Sequence, residues 1–229
     1  LLLIVFVLSL TLVHENYHPE PQTTETEKVT LLSQFKNPTL IITLLVSTMI
    51  IQMGNNSITP IISLYVQQLM HNVGPITVVA GIIAALPGIS TLLSAPRLGH
   101  LGDTRGTDRI LVFGFVFAIL MYFPQGFVSS IWTLGLLRFM IGVSDGALFP
   151  TVQTLLSKNT PHRLTGTIFS WNQSFQALGS MLGSLLGGVV SNWFDYNGVF
   201  IFTALSLLLN FIVVLIFIPS MRHPFKNGA

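Results

Sequence analysis

The sequence predicts an all-α membrane protein with six transmembrane helices, and three observations carry that prediction. Between Asn37 and Ser220 six long apolar segments follow one another, and only two charged side chains, Arg138 and Asp145, lie inside them. Of the 229 residues, 51% are hydrophobic and 8% are charged, against about 25% charged in a soluble domain, too few to cover a water-facing surface. The Lys and Arg residues collect in alternate connections, the pattern of a chain that threads back and forth through a bilayer.

The elements follow in order. Residues 1–13 are apolar but shorter than the roughly 20 residues a spanning helix needs. They lack the basic flank and small-residue cleavage site of a signal peptide. They read as the remnant of a preceding transmembrane helix, which makes the chain a fragment. Residues 14–38 are polar, with Pro19, Pro21 and four Glu, and read as a flexible linker. Asn37-Pro38 supplies a cap and a first-turn proline for a helix over 39–66. Pro75 opens the second, 75–96, and the charged, Gly-rich stretch 97–109 reads as a loop before the third, 110–127. Ser129-Ser130 caps the fourth, 131–157, Thr160-Pro161 starts the fifth, 161–192, and the sixth runs over 198–218. Residues 219–229 form a polar tail.

Charge sets the expected orientation. Lys28, Lys36, Arg97, Arg105, Arg109, Lys158, Arg163, Arg222 and Lys226 fall on one side, whereas the loops 67–74, 125–130 and 193–197 contain no Lys or Arg. Linker, charged loops and C-terminal tail are therefore expected in the cytoplasm. Trp132 and Trp193 lie near the opposite helix ends, where interfacial aromatics belong.

Several chemistries find no support. Cysteine is absent, which excludes disulfides, thiolate metal sites and Cys nucleophiles. His14 and His18 are four apart but precede Pro19 in the linker, and His71, His100, His162 and His223 sit in loops or the tail. No metal site, cofactor, histidine relay or catalytic set is expected, and no Gly-Lys-Ser/Thr phosphate loop occurs. The basic residues lie beside apolar segments, a topology signal rather than a nucleic-acid surface. The chain is not read as an enzyme. A helical membrane protein with a polar interior is a transporter, channel or receptor.

Polar residues inside the helices mark the candidate site. In the first helix Thr48, Gln52, Asn56, Thr59 and Ser63 form one stripe of a 3.6-residue period, with Asn55 beside it. Pro60 removes the backbone bond to Asn56. A proline-interrupted polar helix at mid-membrane depth is the signature of a substrate site; the competing reading is interhelical hydrogen bonding, about 0.6 kcal/mol per contact. Arg138 and Asp145, seven residues apart on the fourth helix, share a face but stand about 10.5 Å apart along its axis, too far to pair directly. A charge inside the hydrocarbon costs roughly 2.5–3.5 kcal/mol, so Asp145 is assigned to the cavity as a possible proton carrier and Arg138 to local polar contacts. The competing reading has each neutralised by a neighbouring amide or carbonyl. Met49, Met53 and Phe149 add apolar surface to the expected cavity. In the fifth helix Gly179, Gly183 and Gly187 form a small-residue packing seam, and Gly142 with Gly146 forms another in the fourth. Asn172 and Gln173 face either the cavity or a neighbouring helix, and Gln173 is counted with the cavity.

One segment and two helix runs carry a resemblance. Gly99, Leu101, Asp103 and Gly106 match the G-x-L-x-D-x-x-G cytoplasmic loop motif of the major facilitator superfamily, with Arg109 closing the segment. Thr104 and Thr107 stand where the family commonly has basic residues. The runs Asp145 to Leu156 and Gly166 to Phe175 resemble the tenth and eleventh helices of the superfamily's bacterial drug exporters. The resemblance implies the C-terminal six-helix half of a twelve-helix exporter of the drug:proton antiporter type, in a bacterial cytoplasmic membrane. By pseudo-symmetry, Arg138 resembles the arginine of the superfamily's fourth helix. The implied partners are the lipid bilayer, small amphipathic substrates, protons and a missing N-terminal half. The implied cavity is lined by Gln52, Asn55, Asn56, Thr59, Asp145, Phe149 and Gln173. A sugar or metabolite symporter of the same fold, and a non-transporting scaffold or receptor, remain open alternatives.

Overall fold

The computed structural model describes Phe35 and residues 37–218. The expected helix remnant, most of the linker and the tail lie outside the described residues. The elements are α1 (Pro38–Ile58), α2 (Ile62–Leu69), α3 (Ile76–Arg105), α4 (Thr107–Gln125), α5 (Ile131–Lys158), a short 3-10 turn (His162–Leu164) and α6 (Thr165–Phe217). Among the described residues, five helical segments are long and apolar enough to cross a membrane: α1, α3, α4, α5 and α6 with its preceding turn. The last runs to 56 residues, about 84 Å at 1.5 Å per residue, far beyond the roughly 30 Å of hydrocarbon. It is broken where Phe194 and Asp195 leave helical geometry, Asp195 with φ +58°. This divides α6 into arms over 165–193 and 196–217.

Contacts between helices fix their directions. Along the first arm of α6, Gly179, Gly183 and Gly187 meet Met49, Met53 and Ser57 of α1 in rising order, so the two run parallel. Along the second arm the order inverts: Thr203 bonds Ser57 and Asn210 bonds Ser47, so that arm runs antiparallel to α1. The chain therefore reverses at Phe194-Asp195. By the same logic α3 and α5 are parallel, since Ile83 meets Gly135, Pro87 meets Gly142 and Ser94 meets Gly146. Helices α4 and α5 are antiparallel, with Gly114 against Leu148 and Lys158 Nζ donating to Thr107 Oγ1 at 3.1 Å. The result is six apolar rods of alternating direction, α1 with α2 counting as one. All of Arg97, Arg105, Arg109, Lys158 and Arg163 then gather at one end, and Trp132 and Trp193, 87% and 76% exposed, at the other.

Glycines set the closeness of these pairs. A Cβ at Gly179, Gly183 or Gly187 would overlap the carbonyl oxygen of Met49, Met53 or Ser57, and one at Gly142 would overlap that of Pro87. Both expected seams thus pack backbone on backbone, the contact small residues exist to allow in lipid. Hydrogen bonds stitch the α1–α6 seam from end to end. Ser47 Oγ donates to Asn210 Oδ1 (3.1 Å), Thr48 Oγ1 to Asn172 Oδ1 (2.9 Å), and Ser57 and Thr203 join hydroxyl to hydroxyl (2.9 Å).

Four local expectations are corrected. The first helix is not continuous over 39–66: it stops at Ile58, and a turn over 59–61 precedes α2, because Pro60 lacks an N–H and its ring crowds the preceding turn. The stretch 97–105 is helix rather than loop, and the connection to α4 is Gly106 alone, at φ +103°. The glycines at 99 and 102 weaken the helix but do not stop it; only Gly106 adopts a backbone that L side chains avoid. Thr160 does not cap a helix: its hydroxyl donates back to Leu156 O at 2.6 Å, and a 3-10 turn separates Pro161 from α6. Asn37 and Ser130 occupy the cap positions of α1 and α5, but neither side chain makes a capping hydrogen bond.

Candidate functional site

A polar cavity of about 530 Å³ lies between α1, α2, α3 and α5, lined by Asn55, Thr59, Ile62, Ser63, Thr77, Ala80, Gly81, Ala84, Pro87, Arg138 and Asp145. These residues come from the end of α1, the start of α2, the first three turns of α3 and the first half of α5. The cavity therefore occupies the half of the bundle nearer the uncharged turns, with Asp145 at its deep end. Thr77, Ala80, Gly81 and Ala84 present small side chains along one face of α3, which is what leaves room.

Asp145 is buried and is held by a chain of hydrogen bonds through three helices. Asn55 Nδ2 donates to Asp145 Oδ2 at 3.1 Å, and Asn55 Oδ1 accepts from the Tyr122 hydroxyl at 2.5 Å. The chemistry orients the amide: its NH2 is the only end that can donate to a carboxylate, and its oxygen is left for the phenol. Thr59 Oγ1 donates to Asn55 O at 3.3 Å, tying the last turn of α1 to the same residue. Arg138 is 6% exposed and faces the same cavity, and its Nε is buried with no hydrogen-bond partner. One acid and one base thus border a single cavity, the acid served by an amide and the base's Nε by nothing among the described residues.

The structure sorts the expected cavity residues into two sets. Asn55, Thr59 and Asp145 line this cavity, joined by Arg138, which was expected to make local polar contacts. Gln52, Asn56, Phe149 and Gln173 do not. Gln52 Nε2 and Asn56 Nδ2 both donate to Ser180 Oγ on α6, each at 3.2 Å, so these amides belong to the α1–α6 seam. Asn55 and Asn56 lie about 100° apart on the helix, and they bond to different neighbours, Asn55 to Asp145 on α5 and Asn56 to Ser180 on α6. Phe149 packs partly buried against the core, and Gln173 is exposed on α6. Asn172 pairs with Thr48 in the seam. Met49 and Met53 lie along the same seam, their backbones against Gly179 and Gly183.

In the Gly99–Arg109 segment, Gly106 makes the turn; a Cβ at Gly102 would lie 3.7 Å from Ile110 of α4, whereas one at Gly99 would meet open space. Leu101 is half-buried and Asp103 exposed. Arg109 sits in the first turn of α4.

Two contributors escaped the sequence reading. Tyr122 lies in the run from Ile110 to Phe123, where it is the one side chain able to hydrogen bond; that isolation was the available signal. Ser180 directly follows Gly179 of the packing seam, and no motif marks it. The α3 wall had no signal, since Gly, Ala and Pro carry no polar mark.

A membrane-embedded helical bundle with a polar cavity and two buried opposite charges is the build of a solute transporter, and comparison with known proteins agrees. Residues 44–229 match the family model of the Major Facilitator Superfamily, and the chain belongs to that family, which is one of transporters rather than enzymes. It is 44% identical over 211 residues to the multidrug resistance protein MdtG of Escherichia fergusonii, covering 92% of this chain and 52% of that protein. It is 43% identical over 209 residues to MdtG of Salmonella heidelberg, with 91% and 52% covered. For MdtG of Serratia proteamaculans the identity is 44% over 209 residues, with 91% and 51% covered. The chain spans about half the length of the curated relatives it matches.

Proposed function

We propose that this chain is the C-terminal half of a proton-coupled multidrug exporter of the bacterial cytoplasmic membrane. Residues 39–218 form its six membrane crossings, 14–38 its cytoplasmic linker from an N-terminal half, 1–13 the end of that half and 219–229 a cytoplasmic tail. The observation that carries the proposal is Asp145. It is a carboxylate buried at mid-depth, open to a polar cavity on one side and held by Asn55 and Tyr122 on the other. A buried carboxylate is expensive in hydrocarbon and marks an ion or proton path. The names and identities of the relatives support the multidrug reading.

In this mechanism Asp145 exchanges its proton with water in the cavity. Asn55 stabilises the charged form by donating to it, and Tyr122 keeps Asn55 aimed. Asn55 and Thr59 contact the substrate. Gln52 and Asn56 hold α1 to α6, so that this half rocks as one body against its counterpart and exposes the site alternately to each side.

The test uses the full-length protein in proteoliposomes with an imposed pH gradient. Asp145→Asn keeps the shape and an acceptor for Asn55, and is expected to leave folding intact while abolishing dye efflux coupled to proton entry. Unchanged coupled efflux would remove Asp145 from the mechanism. Substrate uptake accompanied by external alkalinisation would make the protein a symporter.

A further inference from the structure

The cavity contains a feature that proton coupling does not use. Arg138 is 6% exposed and lines the same space as Asp145, and its Nε is buried without a hydrogen-bond partner. A buried guanidinium nitrogen left unpaired is costly, because its hydration is lost and nothing replaces it. Asp145 offsets the Arg138 charge electrostatically, but it supplies no hydrogen bond to Nε, and its carboxylate is engaged by Asn55. The surroundings of Arg138 are small or apolar along α3, with Ala80, Gly81, Ala84 and Pro87 opposite. These leave both room for a ligand and an apolar wall against which a charge-assisted bond is strong.

We propose that Arg138 is an anion-binding subsite of the substrate cavity, and that the preferred substrates are amphipathic molecules carrying an anionic oxygen group, such as a carboxylate, together with a cationic or polar part. The planar guanidinium suits a carboxylate. The cationic part would lie toward Asp145 and Asn55, and the apolar body against α3. The substrate class rests on the exporter reading above, whereas the binding preference can be measured without transport.

Two dyes isolate the anionic group: rhodamine 110, which carries a free carboxylate, and rhodamine 123, its methyl ester. Binding of each to the full-length protein in lipid nanodiscs is followed by fluorescence polarisation. The wild-type protein is expected to bind rhodamine 110 about tenfold more tightly than the ester, or about 1.4 kcal/mol. Arg138→Gln is expected to bring the ratio close to one while keeping its affinity for the ester, which also shows that the variant is folded. Arg138→Lys, which retains charge without the planar fork, is expected to keep part of the preference. A wild-type protein with no preference for the acid, or an Arg138→Gln variant with the wild-type ratio, overturns the inference. Parallel efflux measurements separate the two readings. Acid-selective binding without efflux removes the exporter and leaves the subsite; efflux with no Arg138-dependent selectivity removes the subsite and leaves the exporter.

Discussion

Gly183→Ala should destabilise this protein severely, although it adds one methyl group to a helix. The added Cβ would overlap the Met53 carbonyl oxygen and lie 3.0 Å from Met53 C and Cα, all of them backbone atoms that cannot swing aside. Relief requires α1 and the first arm of α6 to part by about 1 Å or more. That separation stretches bonds already at 3.2 Å, from Gln52 and Asn56 to Ser180, beyond useful length, and loosens Thr48–Asn172. Overpacking costs roughly 1–3 kcal/mol, and three interhelical hydrogen bonds at about 0.6 kcal/mol add roughly 2, for a total of about 3–5 kcal/mol. Gly188 is the internal control, since a Cβ there meets nothing within 4 Å. Gly188→Ala should be neutral or stabilising by roughly 0.5–1 kcal/mol, through the backbone entropy of glycine. Thermal unfolding of the two full-length variants in detergent, followed by tryptophan fluorescence, measures the difference. Equal midpoints would refute the backbone-on-backbone seam and, with it, the view of α1 and α6 as one rigid unit.

Three further outcomes follow from the same geometry. Tyr122→Phe removes one hydrogen bond, to Asn55 Oδ1; it should cost about 0.6 kcal/mol of stability and slow coupled efflux without abolishing it, as read by efflux rate against pH gradient. Asn55→Leu deprives Asp145 of its donor and should impair coupling far more than Gln52→Leu, whose partner Ser180 keeps Asn56; similar efflux rates for the two would contradict the division of the α1 stripe. Gly106→Ala forces an L side chain into φ +103° and should cost roughly 1–3 kcal/mol, visible as a lowered unfolding midpoint, whereas Gly99→Ala, in open space, should not.

The rods are legible in the sequence and part of what they enclose is not, for physical reasons. Apolar run lengths, Pro75, Ser130 and the segregated Arg and Lys residues identify six rods, because bilayer thickness and charge cost act on each segment separately. The division of polar residues between cavity and seam is a property of helix pairs. The 3.6-residue period groups Gln52, Asn56 and Thr59, but which face meets α5 and which meets α6 depends on tertiary packing. Asp145 was found because a charge in an apolar run needs a reason. Tyr122 was passed over because a phenol in such a run needs none until its hydroxyl is seen 2.5 Å from Asn55. The stretch from Gly99 to Arg105 misled through composition: charge and glycine suggested a loop, yet no residue before Gly106 requires a non-helical backbone.

The account depends most on the cavity between α1, α3 and α5 being a wet, substrate-accessible space. This chain has no cysteine, so single cysteines placed in a cysteine-free full-length protein can report on it directly. Cysteines at Thr59 and Ala84, on the cavity wall, should react with a membrane-impermeant thiol reagent in intact membranes and be protected by bound rhodamine 110. Cysteines at Leu185 and Leu209, on the exposed apolar surface, should react slowly, with no protection. Labelling of Thr59→Cys and Ala84→Cys that is as slow as at Leu185→Cys, or indifferent to the dye, would contradict the account.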